Sequence, residues 1–303
     1  MQRLLSLLLI SLLLRAGVSA QELTNQWTAL LTQDGKYFDS FIGIPHTSLT
    51  SLPNWNKGDG MNTGTPLGLN NDPLHVFTIE MQDGKPVLHV SGEIYGGYTT
   101  KKEFENYHLR AQVKFGENTY TPRKGAKRDN GFLYHGQMPH GQFWHVWLRS
   151  QEFQVQEGDM GDFFALAGTS MDIHAKKKDT AARARWIYDP NAAIHTFASS
   201  GTPANTSSGT SANNVAHLAG DFENPHGEWT TLDLYCFGDK AIHVVNGHVV
   251  MVLENSRTAE TDGTSKPLTR GKIQFQSEGA EAYYRNIEIR KIDKLPDLSE
   301  FKK

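Results

Sequence analysis

The chain has 303 residues, a formal charge of −3 and a mean hydropathy of −0.49. With 30 basic residues against 33 acidic ones there is no cationic excess to neutralise phosphates, which argues against nucleic acid as a partner. A single cysteine, Cys236, excludes an internal disulfide, so the fold must rest on its apolar core, and a chain of this length can bury one large enough.

Arg3, the apolar run Leu4–Leu14 and the small residues Val18, Ser19 and Ala20 form the pattern of a cleavable secretory signal over residues 1–20. The expected destination is the periplasm or the outside of the cell. That run is too short for a membrane-spanning helix, which takes about 20 residues. No later segment is long and apolar enough either, so residues 21–303 are expected to carry no membrane span and to form one β domain. Leu49–Asp72 is rich in Gly, Asn, Pro and Thr and reads as a long ordered loop. Gln82-Asp83-Gly84-Lys85 reads as a hairpin turn. From His108 to Phe115 apolar residues fall at every second position, the period of a half-buried strand.

Arg128–Gly136, Trp144–Arg149 and Ser150–Asp159 follow and hold the residues of interest. Ser199–Asn214 is of low complexity and is expected to be a mobile surface loop. Strand alternation resumes at Thr231–Cys236, which makes Cys236 a buried hydrophobe and not a reactive thiol. Phe237–Lys240 and Asn246-Gly247 are further hairpin turns, and Lys272–Gln276 and Asn286–Arg290 are the last alternating runs. Many strands, tight turns and no convincing helical period predict an all-β, two-sheet antiparallel sandwich.

On a strand, Glu152, Gln154 and Gln156 share one face while Phe153 and Val155 share the other. A row of one carboxylate and two amides suits a sugar, whose hydroxyls both donate and accept hydrogen bonds. His135 and Tyr134 fall on opposite faces if their segment is a regular strand. Trp147 beside Arg149 offers an apolar platform and a strong donor. His135, His140, His145 and Asp159 are able to ligate a divalent metal, but their spacing is not diagnostic of a site. Metal therefore stays open and no cofactor is called for. No phosphate loop, nucleophile elbow or dinucleotide fingerprint is present.

GTPLGLNNDP (Gly64–Pro73), the stretch Ser91–Arg110, KRDNGFLYHG (Lys127–Gly136), RSQEFQVQEGDMGDF (Arg149–Phe163), Gly227–Val250 and Gly271–Ile289 together carry a resemblance. In that order they resemble the 3-keto-disaccharide hydrolase family, also described as 3-keto-glucoside-1,2-lyase/3-keto-2-hydroxy-glucal-2-hydratase domains. The resemblance covers nearly all of residues 21–303. It implies a concanavalin A-like jelly-roll sandwich acting on glycosides already oxidised at C3 by a separate sugar 3-dehydrogenase. A C3 ketone acidifies the C2 proton; its removal gives an enolate that expels the group on C1, and water then adds across the alkene. Such a site needs a base, an enolate stabiliser and an acid. Glu152 or His135 is expected as the base. Gln154, Gln156 and Arg149 are expected to hold hydroxyls or the enolate, with Trp147, Tyr134 and Glu157 beside the substrate.

Two rival readings share the fold. A retaining glycosidase like the family 16 glucanases carries two glutamates flanking an aspartate, and Glu152 to Glu157 mimics its bulged version, with Gln154 in the middle. A lectin-like sandwich would bind glycans without cleaving them.

Overall fold

The computed structural model describes residues 23–179, 184–199, 215–260 and 262–302. The predicted secretory signal and nearly all of the low-complexity stretch lie outside them. The described residues form two antiparallel sheets, one of twelve strands and one of nine, packed as a sandwich. The only helix among the described residues is a single 3-10 turn, Leu298–Glu300.

The turns read from the sequence are where the chain reverses. Asp83 and Gly84 have φ of 50° and 74° and join Phe77–Gln82 to Lys85–Val90; Asn246 and Gly247 have φ of 50° and 84° and join Lys240–Val245 to His248–Ala259. Two successive positive φ values match the twist of flanking strands, which is why Asx-Gly pairs are favoured there. Leu49–Asp72 is indeed mostly loop, and it is tied down by Leu49, Leu52 and Trp55 packing on a small apolar cluster under Ile42 and Val76.

In the nine-stranded sheet Asp129–Gln137 lies between Arg149–Gln156 and Arg270–Ser277. Register places Phe153 opposite Phe132 and Phe132 opposite Phe275. All three rings are fully buried, and Phe132 and Phe153 stack with centroids 4.5 Å apart. Burying each ring contributes about 1.5–3 kcal/mol. One residue along, Glu152 opposes Leu133, and Leu133 opposes Gln274. Strand alternation therefore sends the aromatic row between the sheets and the polar row to the other surface.

The alternation breaks at one end of this sheet. Arg149 pairs with Gln137 but Gln151 pairs with Tyr134, so two residues of one strand face one of the other. His135 takes φ = 53° at that bulge. A bulge re-aims the side chains around it, and its effect on the expected site is considerable.

Candidate active site

Glu152, Gln154 and Gln156 line a cleft of about 390 Å³ on the outer face of the nine-stranded sheet. The row read from the sequence is thus a pocket floor. Gly131 lies between Glu152 and its neighbour Gln276: a Cβ there would stand 2.3 Å from Glu152 Oε1 and 2.4 Å from Gln276 Oε1. Only glycine leaves both side chains where they are. Gln154 Oε1 and both polar atoms of Gln276 are buried without a hydrogen-bond partner among the described residues. Unpaired buried amides cost free energy, and a polar ligand would recover it.

Three carboxyl groups share this floor. Glu152 is 5% exposed, Asp129 2% and Glu278 6%. One guanidinium, Arg123, pairs with both Asp129 and Glu278, the latter at 3.3 Å. Gln156 donates to Asp129 Oδ2. Burial pushes Asp129 up to about 7 although Arg123 and Gln156 oppose the shift. Burial, and then the nearby charge of Asp129, hold Glu152 and Glu278 well above the usual carboxylate range. Like charges in one dry site cannot all ionise.

One wall is aromatic. Trp147 is buried and donates from Nε1 to the Gly96 carbonyl at 3.0 Å, while half-buried Trp144 stands over it with centroids 5.3 Å apart. Tyr95 stacks against Trp147 at 5.5 Å. Trp144 and His145 have φ of 48° and 56°, a left-handed pair outside glycine that costs free energy and marks functional segments. Phe143–Trp147 is a tight turn closed by pairing of its two ends, because two left-handed residues cannot continue a strand, and the strand begins only at Arg149.

The opposite wall holds Asp159, Asp162, His217 and Arg185. Ligand atoms of Asp159, Asp162 and His217 lie within 4.8 Å of one another. Asp159 is engaged by Lys127 at 2.6 Å through Oδ2 and by Arg185 at 3.0 Å through Oδ1. Asp162, 1% exposed, accepts from the Leu218 amide at 2.7 Å through Oδ1 and meets His217 Nδ1 at 2.5 Å through Oδ2. Every carboxylate oxygen already has a donor, and two cations balance the two acids. These residues do not fit a divalent metal.

The structure divides the expected residues. Glu152, Gln154, Gln156, Trp147 and Asp159 line the cleft. Tyr134 and His135 do not: Tyr134 follows Phe132 between the sheets by strand alternation, where it meets His243 at 3.2 Å and Met171, and the bulge turns His135 inward as well, against the ring of Tyr107. Among the described residues neither His135 nitrogen has a hydrogen bond of normal geometry, and burial, only weakly opposed by the nearby Leu268 backbone and Gln151, pulls its pKa down to about 4. Arg149 is spent on Glu260 at 3.3 Å and on the Gly168 and Ala259 carbonyls. Glu157 lies beyond the strand end, paired with Arg128 at 3.2 Å and His226 at 3.1 Å, which takes the second glutamate of the glucanase-like reading off the floor. His140 stacks on Phe41 and His145 is exposed, so neither joins His135 or Asp159 as a metal set. Sequence reasoning missed Arg123, Asp129, Glu278, Gln276, Asp162 and His217. Gln274-Phe275-Gln276 carried the same polar alternation as Glu152–Gln156 and was the available signal for the neighbouring strand.

Similarity to known proteins follows the fold. A candidate glycosyl hydrolase from Parabacteroides distasonis ATCC 8503 is 18% identical, with 77% of this chain and 87% of that one covered and a TM-score of 0.40. The carbohydrate binding module CBM66 from Bacillus subtilis is 9% identical, covering 71% and 91%, with a TM-score of 0.38. A Bacillus subtilis protein of unknown function with a galectin-like fold is 10% identical, covering 71% and 86%, with a TM-score of 0.34. No curated protein matches the chain in sequence. The profile of the 3-keto-alpha-glucoside-1,2-lyase-like domain matches residues 45–290, a span that includes the whole cleft floor, and the chain belongs to that family.

Proposed function

We propose that the protein cleaves 3-keto-glycosides by proton abstraction at C2 and elimination at C1, with hydration of the product completing a net hydrolysis. The observation that carries this reading is the floor: three buried carboxyl groups, two of them paired with one guanidinium, with unpaired amides beside them. Arg123 offsets one negative charge, and burial disfavours a second uncompensated one. The trio therefore titrates as one coupled set in which carboxylate and carboxylic acid forms coexist.

That is the mixture an enolate reaction needs. The carboxylate form of Glu152 takes the C2 proton; burial holds its pKa well above the usual carboxylate range, which brings its basicity closer to that of the weak carbon acid it must deprotonate. Glu278, in its protonated form, donates to the C3 oxygen as charge develops there. Gln154 and Gln276 hold ring hydroxyls, and Trp144 and Trp147 cover an apolar sugar face. With the leader pattern of residues 1–20, the reaction takes place outside the cytoplasm, downstream of a sugar 3-dehydrogenase.

The test is a pair of glucosides, one native and one oxidised at C3, incubated with wild-type protein and with Glu152→Gln. Product is expected only from the oxidised member, and the substitution should lower kcat by about 10²–10⁴ with an unchanged melting temperature. Undiminished turnover by the variant would overturn the role of Glu152. Cleavage of the native glycoside would favour the glycosidase, and binding without product the lectin-like module.

A further inference from the structure

Elimination needs a second proton, delivered to the glycosidic oxygen as the C1–O bond breaks. The other two floor acids, Asp129 and Glu278, do not supply it from the right place, since both pair with Arg123 beside the C2 base, Glu152. Strand order identifies another group. From Arg149–Gln156 the sheet continues through Phe163–Ala165 to Val215–Ala216, and His217 follows Ala216 directly. Two strand spacings separate Glu152 from that strand, about 10 Å, which leaves room for a sugar ring between the two side chains. Both line the same cleft.

His217 is held for proton transfer. Its Nδ1 is 2.5 Å from the buried Asp162 carboxylate and 2.8 Å from Arg185. One nitrogen cannot donate and accept at once. Arg185 has Asp159 as its own acceptor at 3.0 Å, and Asp162 is fixed through its other oxygen by the Leu218 amide, so the Nδ1–H···Asp162 bond orders the ring. Nε2 has no hydrogen-bond partner among the described residues, and the side chain is 13% exposed at the cleft wall. An imidazole oriented by a buried carboxylate with its second nitrogen free is the arrangement of a general acid–base.

Building on the functional reading above, we infer that His217 is the catalytic acid for the departing aglycone and that Asp162 is its positioning residue. Glu152 removes the C2 proton; the enolate pair re-forms the C3 carbonyl, the C1=C2 bond forms, the C1–O bond breaks, and the leaving oxygen takes the Nε2 proton. The products are the 3-keto-2-hydroxy-glucal and a free alcohol, with Glu152 protonated and His217 neutral. Water addition to C1, with His217 as base and the Glu152 proton returned to C2, restores both groups.

The experiment compares methyl 3-keto-glucoside, whose alkoxide leaves poorly, with the 4-nitrophenyl 3-keto-glucoside, whose phenolate needs no acid. His217→Gln is expected to lower kcat/KM on the methyl glucoside at least 100-fold and on the nitrophenyl glucoside less than 5-fold. Asp162→Asn should show the same bias at about 10-fold, and it serves alone if the histidine variant does not fold. Equal losses on both substrates, or none on either, overturn the role of His217 while leaving the functional reading intact. Wild-type protein that cleaves neither substrate overturns that reading and this role with it.

Discussion

The two faces of Arg149–Gln156 differ in how completely they are satisfied. On the inner face Phe153 and Val155 are fully buried among apolar neighbours, with Phe153 stacked on Phe132 and edged by His243 at 4.4 Å. On the outer face Glu152 and Gln154 are almost as buried, at 5% exposure each, yet Gln154 Oε1 lacks a partner among the described residues and Glu152 stands beside two acids, Asp129 and Glu278, that share one guanidinium. Equal burial with unequal satisfaction is what separates a core from a site. The inner row has settled its interactions within the chain, whereas the outer row has left them for a ligand.

Substitutions should report this difference in different currencies. Phe153→Ala on the inner face is expected to cost about 3–5 kcal/mol of stability in urea unfolding; a loss below 1 kcal/mol would mean the row is not core. Gly131→Ala on the outer face crowds only the tips of Glu152 and Gln276. It should lower turnover of a 3-keto-glucoside about 100-fold with a melting temperature within a few degrees of wild type, and intact turnover would break the assignment of that floor.

His135→Phe tests the boundary between the faces and should do least at neutral pH, with activity within a few-fold and stability within about 1 kcal/mol. Loss of activity would restore His135 to the site. Its pKa falls from 6.5 unfolded to about 4 folded, so the unfolded chain binds the proton first as acid is added. Stability is therefore full above pH 6.5 and declines as pH falls toward 4, by on the order of 3 kcal/mol for this residue. The phenylalanine variant should lose less over that window, which pH-dependent unfolding would measure.

The alternation of Glu152–Gln156 made the sandwich and the cleft floor legible before any coordinates, because strand period alone decides which face a residue takes. Asp83-Gly84 and Asn246-Gly247 were legible for an equally local reason, the positive φ their turns require. His135 could not be placed correctly, since a bulge is set by pairing with two other strands and leaves no mark within Arg128–Gly136, whereas Tyr134 follows Phe132 inward by the strand period alone. Arg123, Glu278 and His217 were hidden for a related reason. They reach the cleft from a loop, a strand end and a short edge strand that are distant in sequence, so only the assembled sheet brings them together.

Arg123 sits in the stretch of chain that leaves Tyr107–Thr119 of the larger sheet and enters Asp129–Gln137 of the smaller one. Among the described residues the only counter-ion for Glu278 is thus carried by a connector and not by the scaffold that displays the acids. Exchanging that one loop position for a neutral residue would change how many protons the floor stores without altering a single strand pairing, so descendants of this sequence can retune their chemistry at a place where the architecture has little to lose.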